Sequence, residues 1–239
     1  MSDLRVLHRD EQVIAIDKQA GELTVAGRTK DPADAAGPVW ERVRALAPEA
    51  LPVHRLDRGT SGVLLFALGK QAHRSLSMAF ESHRIDKLYV ALVKGDQLKA
   101  RCDLPLLEAR AGQMRTAEPT APGAKPARTD FMPLDRFGRF TWLSARPHTG
   151  RTHQIRVHLQ SLGHPLAIDP RYGDDVPLKA GDLDPSAPNP EDIILDRTPL
   201  HAASIRVPHP SGSGWLHVES PPPADLLRCL DLLRAARRR

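Results

Sequence analysis

Cysteine is scarce. Only Cys102 and Cys229 occur among 239 residues, far apart in the chain. That excludes a disulfide framework and any Cys-x-x-Cys metal or redox motif. Aromatic residues make up 4% of the chain, too few for a surface that holds single strands by many stacked bases. They leave room for one or two placed rings in a pocket. No apolar run approaches the roughly 18 residues that a membrane-spanning helix needs. The start, Met1-Ser2-Asp3-Leu4-Arg5, lacks the apolar core of a secretory signal, so the expected compartment is the cytoplasm. Gly-x-Ser-x-Gly and His-Glu-x-x-His are both missing, which argues against a hydrolase built on a nucleophile elbow or a zinc helix. Four histidines fall at 148, 153, 158 and 164. They do not have His-x-x-x-His spacing and no acidic ligand is interleaved, so no metal is expected there.

What is present is a basic, globular composition. Hydrophobic residues are 41% and charged residues 26%; 34 Lys plus Arg stand against 29 Asp plus Glu, for a net charge of +5. The lean is towards a polyanionic partner, and arginine, which suits bidentate phosphate contacts, dominates the motif regions. The length allows a sizeable core. No internal repeat or linker is visible, so residues 1–239 read as one catalytic domain.

The chain is organised around His54-Arg55-Leu56-Asp57-Arg58-Gly59-Thr60-Ser61-Gly62, followed at once by the apolar run Val63–Leu68. The run is short, bounded by glycines, and reads as one buried strand. The polar part sets a carboxylate on a turn fixed by a rigid element. Arg55 and Arg58 flank Asp57, and cations so placed favour its charged form. A charged turn ahead of a core strand is the bland alternative.

Around this centre the pattern alternates. Residues 12–17 read as a strand and 39–46 as a helix ending before Pro48. Residues 70–83 form an amphipathic helix with Ala72, Leu76, Ala79 and Phe80 on one face. Ile85–Gly95 is a strand containing Tyr89, closed by glycine. Residues 108–124 read as a loop, and Gly123–Thr129 introduces another strand. Residues 139–146 are a strand, and from Thr152 the spacing of Ile155, Leu159 and Leu162 marks a helix that Thr149 or Thr152 caps. The start of that helix, beside Arg151 and Arg156, is a ready anion site. Residues 174–199 read as a surface loop. Leu200–Val207 and Trp215–Val218 are strands, and Leu226–Leu233 is a helix running into a basic tail at 234–239.

Three strings together carry a resemblance. The first is His-Arg-Leu-Asp-x-x-Thr-Ser-Gly. The second is Lys87-x-Tyr89-x-Ala91-x-Val93-x-Gly95. The third is Thr149-Gly150-Arg151-x-His153-Gln154-Ile155-Arg156-x-His158, followed by Leu162-Gly163-His164-Pro165, Asp169-x-x-Tyr172-Gly173 and Leu200-His201-Ala202. The chain resembles the RluA-type RNA pseudouridine synthases from about residue 10 to 222. It departs at Gln19, where that family usually carries proline after the lysine.

The resemblance implies an α+β fold: a mixed, mostly antiparallel sheet flanked by helices, with a central active-site cleft. Only 53 residues precede His54, and they match the start of the catalytic domain, so no S4 RNA-binding domain is expected ahead of it. The implied activity is isomerisation of specific uridines in structured ribosomal or transfer RNA, by a monomer in the default reading, with no cofactor and no metal. Asp57 is the implied catalytic residue, Arg156 the arginine that partners the carboxylate, and Tyr89 the residue facing the base. Arg55 enters the space that the flipped base vacates, Arg58 and Arg151 hold phosphates, and Leu200 supports the base. Two rivals stand against this. One is a catalytically silent RNA-binding or ribosome-assembly protein of the same fold. The other is a hydrolase pairing His54 or His153 with Asp57.

Overall fold

The computed structural model describes residues 4–26, 37–96, 99–109 and 112–238. These fall into two compact units, Met1–Lys87 with His201–Pro221, and Leu88–Leu200 with Pro222–Arg239. Each is therefore assembled from two separated stretches of chain. The protein is α+β, dominated by antiparallel strands with helices packed on them. Among the described residues no helix is long and apolar enough to cross a membrane.

The first unit holds β1 (Val6–Arg9), β2 (Val13–Lys18), α1 (Val39–Leu46), β3 (Ala50–Pro52), β4 (Ser61–Leu68) and α2 (Lys70–Glu81). Its second stretch adds β13 (Leu200–Pro208) and β14 (Trp215–Glu219). The strands run β1-β2-β4-β13, with β3 beside β4 and β14 beside β13. All eight residues of β4 are buried, which is why its sequence is an unbroken apolar run rather than an alternating one. β2 lies antiparallel to it, Ile14 opposite Phe66, while β13 joins it in parallel at His201 opposite Ser61. Gly62 is needed at that junction. Its φ is +112°, and a Cβ there would sit 2.2 Å from the carbonyl oxygen of Ala202. α2 closes one face, burying Ala72 and Leu76 against Val13, Val63, Leu65 and Ile205.

The second unit begins within β5 (Asp86–Lys94). It continues through β6 (Ala100–Cys102), β7 (Leu106–Glu108), β8 (Met114–Thr116), β9 (Thr129–Arg136), β10 (Phe140–Pro147) and α3 (Gln154–Ser161). It ends with β11 (Leu178–Lys179), α4 (Ala180–Leu183), β12 (Ile193–Leu195) and α5 (Ala224–Arg237). β5-β10-β9-β6 form an antiparallel run. α3 lies against it, with Ile155 and Leu159 in one core with Ala91, Val93, Phe131 and Leu143.

Several local expectations change. Residues 108–124 include β8, which pairs with β7. The stretch 174–199 is not featureless. It carries the β11–β12 pair and α4, with Leu178, Leu183, Ile194 and Leu195 buried. Its apolar residues are too few for periodicity to reveal them. α5 extends past Leu233 to Arg237 because Arg234 and Arg237 both bind Asp135. Most of the expected tail is thus helix, and Arg239 lies outside the described residues.

Candidate active site

The turn carrying Asp57 is fixed from several sides. Lys18, at the end of β2, is fully buried, and its Nζ donates to the carbonyls of Gln19 at 2.8 Å, Arg58 at 3.2 Å and Thr60 at 2.8 Å. A buried ammonium demands such partners, so the lysine binds the 18–21 turn and the 58–60 turn together. Gly21 N–H donates to Arg58 O at 2.8 Å, and Arg58 Nε returns a bond to Gly21 O at 3.0 Å. Thr24 Oγ1 donates to Leu56 O at 3.1 Å and accepts from Leu56 N–H at 3.2 Å. Thr60 N–H closes the turn onto Asp57 O at 3.0 Å. Arg55 points outward and is exposed.

His54 has a structural part in the same turn. Its ring stacks on Phe80 with centroids 5.0 Å apart, and Nε2 accepts the N–H of Leu65 at 2.9 Å. An Nε2 that accepts must be unprotonated. Burial, then the charge of Lys87, pulls this imidazole down to a pKa of about 3. The ring is therefore neutral, with its proton on Nδ1, and holds the turn against β4. Burial also pulls Lys87 itself down to about 8. At the far end of the string, Ser61 Oγ donates to Nδ1 of His201 at 3.0 Å, and Nε2–H of His201 donates to Ser220 O at 3.0 Å.

In the second unit Tyr89 lies on β5 opposite Ala145 of β10. It packs on the core cluster that contains Leu200, Ala91 and Ile155. Leu200 is 3% exposed, so it is a core residue beside Tyr89. Arg156 sits on α3 and is itself buried, 7% exposed. Its Nε and Nη2 donate side-on to Asp169 at 2.8 and 2.6 Å. Asp169 Oδ1 also accepts the N–H of Arg171 at 3.0 Å and of Tyr172 at 3.1 Å. Burial alone would raise this carboxyl. The Arg156 contacts and the two amides overcome burial and hold it below the usual carboxylate range. The Arg156 guanidinium lies over the Tyr172 ring, 5.1 Å from its centroid. Tyr172 Oη accepts from Met114 N–H at 2.9 Å and is hydrogen-bonded to Nδ1 of His153 at 2.8 Å.

Residues of the third string lock the approach to α3. Gln154 Nε2 donates to Arg128 O at 2.9 Å and to Thr129 Oγ1 at 3.0 Å. Its Oε1 accepts from Thr149 Oγ1 at 2.6 Å and from Arg151 N–H at 3.0 Å. Thr129 then passes its proton to Nδ1 of His158 at 2.9 Å, and His158 Nε2–H reaches Leu104 O at 2.9 Å. Burial depresses the pKa of His158. Neither Thr149 nor Thr152 caps α3. The cap position is His153, in the left-handed conformation at φ 54°, with no side-chain cap. Thr149 is turned inward to Gln154 instead. Arg151 Nε donates to Pro126 O at 3.1 Å.

The candidate residues thus group by unit. Arg55, Asp57 and Arg58 share one turn of the first, and Tyr89, Arg151, Arg156 and Leu200 belong to the second. Lys18, Thr24, Gln154, Asp169 and Tyr172 were not singled out as functional. A lysine beside a turn gives no sequence signal of burial, and only the Asp169-x-x-Tyr172 spacing offered a hint. Among the described residues no group of three or more His, Cys, Asp or Glu is arranged to hold a metal ion.

Comparison with known proteins agrees over nearly the whole chain. The family described as RNA pseudouridylate synthase matches residues 12–161. A Vibrio parahaemolyticus protein named ribosomal large subunit pseudouridine synthase C is 37% identical over 97% of this chain and 70% of its own length. The Escherichia coli K12 protein of the same name is 37% identical with the same coverage. Among solved structures, human RNA Pseudouridylate Synthase Domain Containing 1 aligns with a TM-score of 0.70 at 26% identity, covering 98% of this chain and 95% of its own. Human RNA Pseudouridylate Synthase Domain Containing 4 shares the fold, with a TM-score of 0.71 over 96% of this chain and 93% of its own, at 20% identity.

Proposed function

Because the chain belongs to the RNA pseudouridylate synthase family, we propose that it converts specific uridines of ribosomal RNA to pseudouridine, with Asp57 at the reacting sugar. As a member of that family the protein is an isomerase. The N1–C1′ bond of a uridine is broken, the uracil turns within the site, and C5 is joined to C1′, with the C5 proton released and N1 protonated. Atoms and electrons balance within the nucleotide, with no net redox change.

The observation that carries the assignment of Asp57 is the rigidity of its turn, held by Lys18, Thr24 and Gly21. A group that acts at a defined atom has to be held to within a fraction of an ångström. The carboxylate attacks C1′ as nucleophile or removes a ribose proton as base. Arg156 is the arginine that the family's third motif assigns as partner of the catalytic carboxylate. The side-on pair with Asp169 fixes its guanidinium on α3, and charge-assisted contacts of this kind are strong and directional. Tyr89 stacks on the uracil and assists removal of the C5 proton, with Leu200 backing it from the core. Arg55 fills the stack left by the flipped base, and Arg58 and Arg151 position phosphates.

The test is incubation of the purified protein, in EDTA, with unmodified ribosomal and transfer RNA transcripts, followed by carbodiimide mapping of pseudouridine. A stop at one or a few uridines is expected, absent in Asp57→Ala while RNA binding persists. Full activity in Asp57→Ala would remove that residue from the mechanism. Binding without any stop, in the unaltered protein, would favour a catalytically silent role.

A further inference from the structure

The end of β10 remote from Tyr89 carries a hollow. Its volume is about 330 Å³, at the small end of the range for ligand pockets. Phe137, Arg139 and Phe140 line it from the β9–β10 turn, Asp182 and Leu183 from α4, and Arg237 from α5. It is separate from the candidate active site. Tyr89 stands opposite Ala145 on β10, and Phe140 lies five residues away, opposite Lys94. That is roughly 17 Å along the strand, and the odd spacing puts Phe140 and Ala145 on opposite faces.

The chemistry of the lining is specific. Arg237 lies over the Phe137 ring at 5.2 Å and is anchored by Asp135 and by Arg136 O at 3.1 Å. Arg139 lies over Phe140 at 6.0 Å. Its backbone is hydrogen-bonded to Gly95 and Phe137, but among the described residues its guanidinium has neither a hydrogen bond nor an ion pair. An exposed guanidinium held over a ring and not engaged in an ion pair can take an anion. Asp182 has one oxygen on the N–H of Lys179 at 2.9 Å, and as a carboxylate it has further acceptor capacity. A bare anion has no use for the phenylalanines or for Asp182, and an apolar ligand has none for Arg139. A planar ring bearing both N–H or hydroxyl donors and a phosphate uses all three.

We propose that this hollow is a nucleotide-binding site, with the base against Phe137 and Arg237, its donors on Asp182, and the phosphate on Arg139. The nucleotide comes either from RNA already engaged at the active site or from the free nucleotide pool.

The test is titration calorimetry of the full chain with GMP, whose guanine edge carries adjacent N–H donors, and with guanosine. GMP should bind, and removing the phosphate or making Arg139→Ala should each weaken it by about tenfold, as loss of a charged contact does. Phe137→Ala should weaken both ligands alike. Absence of GMP binding at millimolar concentration, or binding indifferent to Arg139→Ala, overturns the proposal. Two further arms identify the source. If the site serves RNA, GMP competes with a long transcript, and Arg139→Ala raises its Kd without affecting a minimal stem-loop. If it serves free nucleotide, GMP and RNA bind together. The proposal does not rest on the isomerase reading. A protein that binds GMP through Arg139 yet makes no pseudouridine would overturn the reaction and leave the hollow intact.

Discussion

His54 shows how a residue within a motif string can serve the fold, stacked on Phe80 and accepting the Leu65 N–H. It is neutral in the folded protein with a pKa of about 3, against about 6.5 when unfolded. Protonation therefore favours the unfolded chain. Stability from this group is complete above the unfolded value and declines as pH falls towards 3, by about 1.4 kcal/mol per pH unit. We expect denaturant unfolding between pH 6.5 and 4.5 to show a loss larger by about 2–3 kcal/mol in the native sequence than in His54→Gln. Glutamine still accepts the Leu65 N–H but does not titrate. Equal losses in both proteins would show that His54 takes up no proton on unfolding. The same neutrality argues against the hydrolase reading, since Nε2 is already occupied in accepting from Leu65. Gly62 is a second such case. Its Cβ would overlap the Ala202 carbonyl, so Gly62→Ala should lower stability by about 3 kcal/mol or more, measured by thermal melting.

At the scale of elements, the turn between β2 and the first helix matters as much as the Asp57 turn it clasps. Lys18→Met preserves length and apolar bulk but strands the carbonyls of Gln19, Arg58 and Thr60. We expect a stability loss of about 3 kcal/mol or more and a fall in kcat with RNA Kd nearly unchanged, read by single-turnover kinetics. A fall in RNA affinity alone would place Lys18 in binding instead. The sequence made the larger elements legible. α1 occupies Val39–Leu46 as its spacing predicts, and β4, β5, β10, β13 and β14 lie where their apolar runs or glycine closures indicate. What it hid were pieces too short for periodicity, namely β1, β3, β6, β7, β8, β11, α4 and β12. It also hid side-chain locks that work over long separations, such as Thr24 with Leu56 or Gln154 with Thr129. The motif strings could be read, but the reasons for their individual letters could not. Gln154 and His158 are fixed by partners 25 and 29 residues away, and nothing local marks that.

For the whole molecule, net charge and arginine-rich motifs imply binding governed by phosphate contacts. The affinity for RNA should fall steeply with salt, and Arg58→Ala and Arg151→Ala should each reduce the slope of log K against log salt by about one at most. Filter binding across a salt series measures this, and an unchanged slope in both variants would remove these residues from the phosphate interface. The absence of a visible linker also has a physical cause. The chain passes from the first unit to the second, back at His201, and out again at Pro222, so each crossing lies within or beside folded structure, where composition does not shift.

That weaving sets a schedule for the nascent chain. β13 and β14 complete the first unit only after His201–Pro221 has left the ribosome, and α5 completes the second later still. At about 5–20 residues per second, β4, with its eight buried positions, waits on the order of ten seconds for its parallel neighbour. During that interval its apolar residues and unpaired edge are a target for chaperones and for aggregation, and the yield of soluble protein should depend on the supply of holdase more than on the stability of the finished fold.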